Sequence, residues 1–113
     1  MQIHVTDHDG VAVVALEGDA MGGPDGTVLM ERIRERRAEG QTRFVVDLAG
    51  VERMNSSGLG MLIGALTTVH NADGHLVLAN VHPRVHQLLD VTKLLGVFTL
   101  HDSEPAAVAS FEG

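Results

Sequence analysis

Asp47-Leu48-Ala49-Gly50-Val51-Glu52-Arg53-Met54-Asn55-Ser56-Ser57-Gly58-Leu59-Gly60 is the stretch on which the fold turns. It begins at the end of Arg43-Phe44-Val45-Val46-Asp47-Leu48, whose nearly continuous apolar character marks a strand covered on both faces. Beyond it, Leu59, Leu62, Ile63, Leu66 and Val69 recur at helical spacing and predict a helix from about Ser57 to Asn71. Strand, short loop and helix in that order put the hydroxyls of Ser56 and Ser57 at a helix N-terminus. The first backbone N–H groups of a helix lack intrahelical partners, and its aligned peptide dipoles amount to roughly half a positive charge, so the position suits an oxygen acceptor or a phosphate. Asn55, Ser56 and Ser57 are also ordinary N-cap residues, a role that stabilises a helix by about 0.5–2 kcal/mol. Gly58 and Gly60 ask for more, because glycine costs about 1 kcal/mol inside a helix and its bare backbone admits a close neighbour. Asp47 is a polar exception within the strand; it either hydrogen-bonds the loop leading to Ser56 or ends the strand in solvent.

Working outward, Ile3 and Val5 precede the turn residues Asp7-His8-Asp9-Gly10, and Val11-Ala12-Val13-Val14-Ala15-Leu16 follows, which reads as a hairpin. Gly18-Asp19-Ala20-Met21-Gly22-Gly23-Pro24-Asp25-Gly26 is dense in residues that interrupt regular structure and predicts a long loop, a frequent seat of function. Thr27 is placed to cap a helix to about Glu39, with Leu29, Met30 and Ile33 inward and its charge run solvated. After Asn71-Ala72-Asp73-Gly74 come a strand at His75 to Ala79 and a third helix opened by Pro83. Val97-Phe98-Thr99-Leu100 predicts a last strand, and Ser103-Glu104-Pro105 opens a C-terminal helix containing Val108 and Phe111. An initial hairpin followed by alternating helices and strands implies an α/β domain over residues 1–113, with a mixed, mainly parallel sheet of about five strands and about four helices packed on it.

The 113 residues suffice for one domain with its own core. All three aromatic residues are Phe, so that core must be built from Val, Leu, Ile, Met and Ala. A net charge of −7 repels phosphate backbones and argues against nucleic acid as a partner. The absence of cysteine removes disulfides and thiolate chemistry and suits a cytoplasmic setting. No apolar run approaches the roughly 20 residues that span a bilayer, and no secretory leader is expected.

Other constellations are weaker. His82 and His86 stand four apart, on one face of the predicted third helix, but no third ligand accompanies them, so no metal site is expected. A nucleophile elbow needs glycine two residues either side of its serine; Gly58 follows Ser56 at that spacing, but Met54 precedes it. There is no phosphate-binding Gly-x-x-x-x-Gly-Lys-Ser/Thr loop, and neither catalysis nor a cofactor is expected. Leu94, Leu95, Val97 and Phe98 are read as core rather than as an exposed partner patch.

The hairpin ending at Gly18, the strand Phe44-Val45-Val46-Asp47-Leu48, the block Met54-Asn55-Ser56-Ser57-Gly58-Leu59-Gly60 and the strand His75 to Ala79 together resemble the STAS domains, named for sulphate transporters and anti-sigma factor antagonists. The resemblance covers nearly the whole chain. In the bacterial antagonists it implies a partner switch: the unphosphorylated domain binds an anti-sigma factor that is also a serine kinase, the sigma factor is freed, and phosphorylation of the first serine ends binding. That serine corresponds to Ser56, with Ser57 in the adjacent Ser or Thr position. The resemblance implies a partner-binding surface at Asn55, Ser56, Ser57, Gly58, Leu59 and Gly60. Asn55 stands where the antagonists usually carry Asp, with the same shape but no charge. The family also commonly carries an acidic residue in the loop after the second strand that helps engage the kinase; here that loop offers Asp19 and Asp25 as partner-binding candidates, with Ala20-Met21 at the closest match. Other members scaffold stress-signalling complexes or act as soluble subunits of membrane transporters, which is the alternative expectation.

Overall fold

The sheet begins with a two-residue turn. Asp9 and Gly10 both have positive φ, 53° and 80°, the geometry that lets two twisted antiparallel strands meet directly. They join β1, Gln2–His8, to β2, Val11–Glu17, paired in register from Gln2 with Glu17 to His8 with Val11. In the computed structural model, which describes residues 1–112, the chain then alternates through α1, Pro24–Ala38; β3, Arg43–Gly50; α2, Ser56–Asn71; β4, His75–Ala79; α3, Pro83–Val91; β5, Leu100–His101; and α4, Glu104–Ala109. The strands lie side by side in chain order, antiparallel between β1 and β2 and parallel from β2 to β5. This is the single α/β domain, mixed sheet and four helices that the alternation implies.

The central strand explains the layering. Phe44, Val46 and Leu48 of β3 point to one face and join Leu29 and Ile33 of α1, Leu59, Leu62, Leu66 and Val69 of α2, and Val85 and Leu89 of α3 in the main core. Val45 points to the other face, with Val11, Val13, Val77 and Ala79, where Ala107 and Val108 of α4 cover them. Covering on both sides is why β3 is apolar at successive positions instead of alternating. Deleting a fully buried side chain such as Leu62 would cost about 2–5 kcal/mol.

Two elements differ from the sequence expectation. Helix α1 starts at Pro24, so Thr27 lies inside its first turn and caps nothing. Proline is suited to that start because its missing N–H would have had no helical partner. Met30 is only half-buried. The expected strand at Val97 to Leu100 shrinks to Leu100 and His101, paired with Leu78 and Ala79. The preceding residues turn back on themselves, Leu94 N–H donating to Leu89 O at 2.7 Å and Val97 N–H to Leu94 O at 3.0 Å, while Phe98 enters the core. Leu94 and Leu95 also pack on the core, and Val97 is left half exposed.

Candidate functional site

The loop after β3 is held by the loop after β2. Gly18 N–H donates to Gly50 O and Ala20 N–H to Arg53 O, each at 2.9 Å, and Asn55 N–H donates back to Ala20 O at 3.3 Å. Ala20 and Met54 thereby form one isolated parallel bridge, a single rung beyond the end of the β2–β3 ladder. Ala20 is fully buried beneath this rung, and its neighbours Asp19 and Met21 are exposed. The two loops thus form one platform at the carboxyl ends of the strands.

On that platform Asn55 caps α2. Its backbone is extended, and its side-chain oxygen accepts a hydrogen bond from Gly58 N–H at 2.8 Å. The cap therefore belongs to Asn55, which leaves Ser56 and Ser57 as the first two helical residues, both exposed. Among the described residues neither serine hydroxyl has a hydrogen-bond partner, and the Ser56 and Ser57 amides remain the open donors of the helix end. A neutral cap also leaves the positive end of the helix uncompensated, since no acidic residue lies in the first turn.

The glycines of the site differ in what they touch. A Cβ on Gly58 would run into the carbonyl oxygen of Ala20 and lie 2.6 Å from its carbonyl carbon. One on Gly22, where φ is 84°, would lie 2.6 Å from Ser57 Cβ. Gly22 and Gly58 are therefore the points where the first loop lies directly on the helix. Gly60 meets nothing.

The candidate residues thus separate by depth. Asn55, Ser56, Ser57 and Gly60 lie on the surface of α2 and its cap, and Asp19 is exposed on the adjoining loop. Gly58 is buried under that loop and Leu59 in the core, so these two shape the site from below. Asp25, at the start of α1, has its carboxylate 3.9 Å from the Met1 amino group. Sequence reading gave no role to Ala20 and Gly22, whose importance lies in contacts with residues more than thirty positions away. The one available signal was Gly22-Gly23, a pair at which both φ values are positive.

Asp47 supports the platform from within. It is buried, and its Oδ1 accepts hydrogen bonds from Ala49 N–H at 2.9 Å and from Asn80 Nδ2 at 3.1 Å. It therefore ties the end of β3 to the end of β4 and does not face solvent. Glu104, at the start of α4, hydrogen-bonds the Asp47 side chain; that bond, then burial, then the Asp47 charge push the Glu104 carboxyl above the ordinary glutamate value, with His8 opposing them.

His82 occupies the N-cap position of α3, its ring nitrogen accepting from Arg84 N–H at 3.4 Å. Among the described residues no group of three or more His, Asp or Glu side chains could hold a metal ion. No helix among them is long and apolar enough to cross a membrane.

Residues 2–107 match the sequence model of the STAS domain. The chain is 31% identical to an anti-sigma F factor antagonist of Paenibacillus polymyxa, across 99% of this chain and 96% of that one. Its fold superposes on the crystal structure of an anti-sigma factor antagonist from Mycobacterium paratuberculosis with a TM-score of 0.83, at 24% identity, covering 99% and 94% of the two chains. It superposes on the Bacillus cell fate determinant SpoIIAA in its phosphorylated form with a TM-score of 0.74, at 18% identity, covering 96% and 98%. These relatives are named as anti-sigma factor antagonists or, for SpoIIAA, as a cell fate determinant, and none is named as an enzyme.

Proposed function

The chain belongs to the STAS domain family, and from that premise we propose that it is a cytoplasmic anti-sigma factor antagonist switched by phosphorylation at Ser56. In the unphosphorylated form it binds an anti-sigma factor that is also a serine kinase and so releases the sigma factor. The observation that carries this reading is that Asn55 performs the capping, so that Ser56 stands first in the helix, exposed, with its hydroxyl uncommitted. A serine needed as the cap would lose its fold role when modified; this one has none to lose.

The chemistry of the switch follows from the site. Phosphate adds about −1.5 to −2 charges at pH 7. On Ser56 that charge lies beside open backbone amides and the positive helix end, which tolerate it. A partner packed on the same surface has to accommodate both the bulk and the charge, and loses contact. The serine itself activates nothing: the kinase supplies ATP, magnesium and the base that phosphoryl transfer needs. SpoIIAA, a fold neighbour determined in a phosphorylated form, supports phosphate as compatible with this fold.

The test is Ser56→Asp, measured for binding to the anti-sigma kinase and for thermal stability. The expected result is weakened binding with a melting temperature nearly unchanged. Intact binding together with a large loss of stability would mean that Ser56 is a structural residue.

A further inference from the structure

Strand β1 leaves one edge of the sheet open. It stands at the end of the strand order and pairs only with β2, in unbroken register from Gln2 with Glu17 to His8 with Val11. In a hairpin closed by a two-residue turn the closing pair is hydrogen-bonded and alternate pairs follow it, so Gln2, His4, Thr6 and His8 direct their backbone groups at β2. The N–H and C=O groups of Ile3, Val5 and Asp7 therefore point outward, and none of them meets a backbone partner elsewhere among the described residues. Folds usually blunt such an edge with proline, lysine or a bulge. β1 carries none of these, and its one acidic residue, Asp7, is matched by Arg36 at 3.3 Å.

Beside this edge runs α1. Asp25 near its start lies by the Met1 amino group, and Arg36 near its end pairs with Asp7, so helix and strand run in the same direction. Between them is an open trough of about 430 Å³, with Ile3 and Val5 on the strand side and Arg32, Glu35, Arg36 and Glu39 on the helix side. The spacing of these four, three, four and seven positions from the first, puts them in one stripe. Its charges read plus, minus, plus, minus, and reading them backwards exchanges every sign. Laid antiparallel on a copy of itself, the stripe sets Arg32 against Glu39 and Glu35 against Arg36. Laid parallel and in register, it sets like against like. The stripe therefore complements its own copy in the one direction that a two-fold axis imposes.

We infer that two copies of this chain associate edge to edge about a two-fold axis beside Val5, joining their sheets through antiparallel β1 strands. Val5 then pairs with its symmetry mate and Ile3 with Asp7, which engages all the outward N–H and C=O groups of both edges. The two α1 helices lie antiparallel above the seam with their stripes facing. The strand bonds hold the copies together. Exposed ion pairs add little affinity, and the stripe acts by selecting the antiparallel arrangement. β2 stands between β1 and β3, the strand that leads to Ser56, so the inference does not depend on the reading of that serine.

The test is sedimentation velocity of the purified chain from micromolar to millimolar concentration, with amide hydrogen exchange followed residue by residue by NMR. The expected result is monomer and dimer in equilibrium, with the amides of Ile3, Val5 and Asp7 gaining protection as the dimer forms. Val5→Pro removes an outward N–H at a position where an edge strand tolerates proline, and should weaken association at least tenfold. Arg32→Glu sets like charges against Glu39 and should weaken it severalfold, and adding Glu39→Arg to that variant should restore it. A monomer at every concentration would overturn the inference and leave the edge to a strand of another protein. A dimer in which those three amides exchange freely, or one that Val5→Pro leaves intact, would overturn it equally. Should Val5→Pro fold poorly, the Arg32 and Glu39 variants decide, since both side chains are exposed: no loss, or a loss without rescue, refutes the antiparallel seam.

Discussion

Alanine placed at Gly58 and, separately, at Gly60 should move stability in opposite directions although the two residues are two positions apart in one helix. At Gly60 the added Cβ meets nothing within 4 Å, so the helix preference of alanine over glycine appears undiluted as a gain of about 1 kcal/mol. At Gly58 the same methyl is driven into the Ala20 carbonyl, which is backbone and cannot swing aside. Relief requires the first loop to lift from the helix. That loosens Ala20 N–H to Arg53 O and Asn55 N–H to Ala20 O, each worth about 0.5–1.5 kcal/mol net. Overpacking of this kind adds about 1–3 kcal/mol. Set against a helix gain that is smaller in the first turn, Gly58→Ala is expected to be destabilised by about 2–5 kcal/mol. At roughly 4–8 °C per kcal/mol for a domain near this size, the midpoint should fall by about 10 °C or more, while Gly60→Ala should rise by several degrees. Thermal unfolding followed by circular dichroism, with urea titration as a check, reads both. Equal stability of the two variants would refute the claim that the two loops form one platform pinned through Gly58.

Three further outcomes follow from the same geometry. Asn55→Ala should lose about 0.5–2 kcal/mol in urea unfolding because the Gly58 amide loses its cap, whereas Asn55→Asp should retain it; equal losses in both would show that the cap is not the source. The raised Glu104 carboxyl means that the folded state holds its proton more tightly than the unfolded chain, so the stability it contributes is present below the ordinary glutamate value near 4.5 and is lost as pH rises through the folded value. Glu104→Gln, which still offers Asp47 a donor, should therefore flatten that decline and be more stable than wild type at pH 7; unfolding curves at pH 4, 5.5 and 7 with unchanged slope would contradict it. Asp47→Ala should destabilise by about 1–3 kcal/mol or more, since the Ala49 amide and the Asn80 side chain both lose a charged acceptor, and a change within 0.5 kcal/mol would rule that role out.

The sequence was most legible where local chemistry and tertiary packing agree. The apolar run of β3, the helical spacing from Leu59 to Val69 and the Asp9-Gly10 turn each carry a period or a backbone preference that survives folding. It was less legible where a contact between distant segments decides. The start of α1 turned on whether Pro24 or Thr27 opens the helix, and both residue types suit a helix start. β5 kept only two paired residues because the segment before it satisfies its backbone in turns, which hydropathy does not register. Of the site, the Asn55-Ser56-Ser57 order is visible in the sequence, but which residue caps is not, because all three types can. Nor could pattern reveal that Ala20 lies over Gly58, or that Asp47 reaches Asn80, thirty-three residues on.

The central claim is that Ser56 accepts a phosphoryl group and that the modification ends partner binding. Incubating the chain with its anti-sigma kinase, ATP and magnesium, then locating any phosphate by fragmentation mass spectrometry and measuring kinase affinity of the product, addresses it most directly. The account predicts one phosphate, on Ser56, a fold still intact by circular dichroism and affinity for the kinase lost. Stable binding with no transfer, or transfer to Ser57 in preference to Ser56, would contradict it.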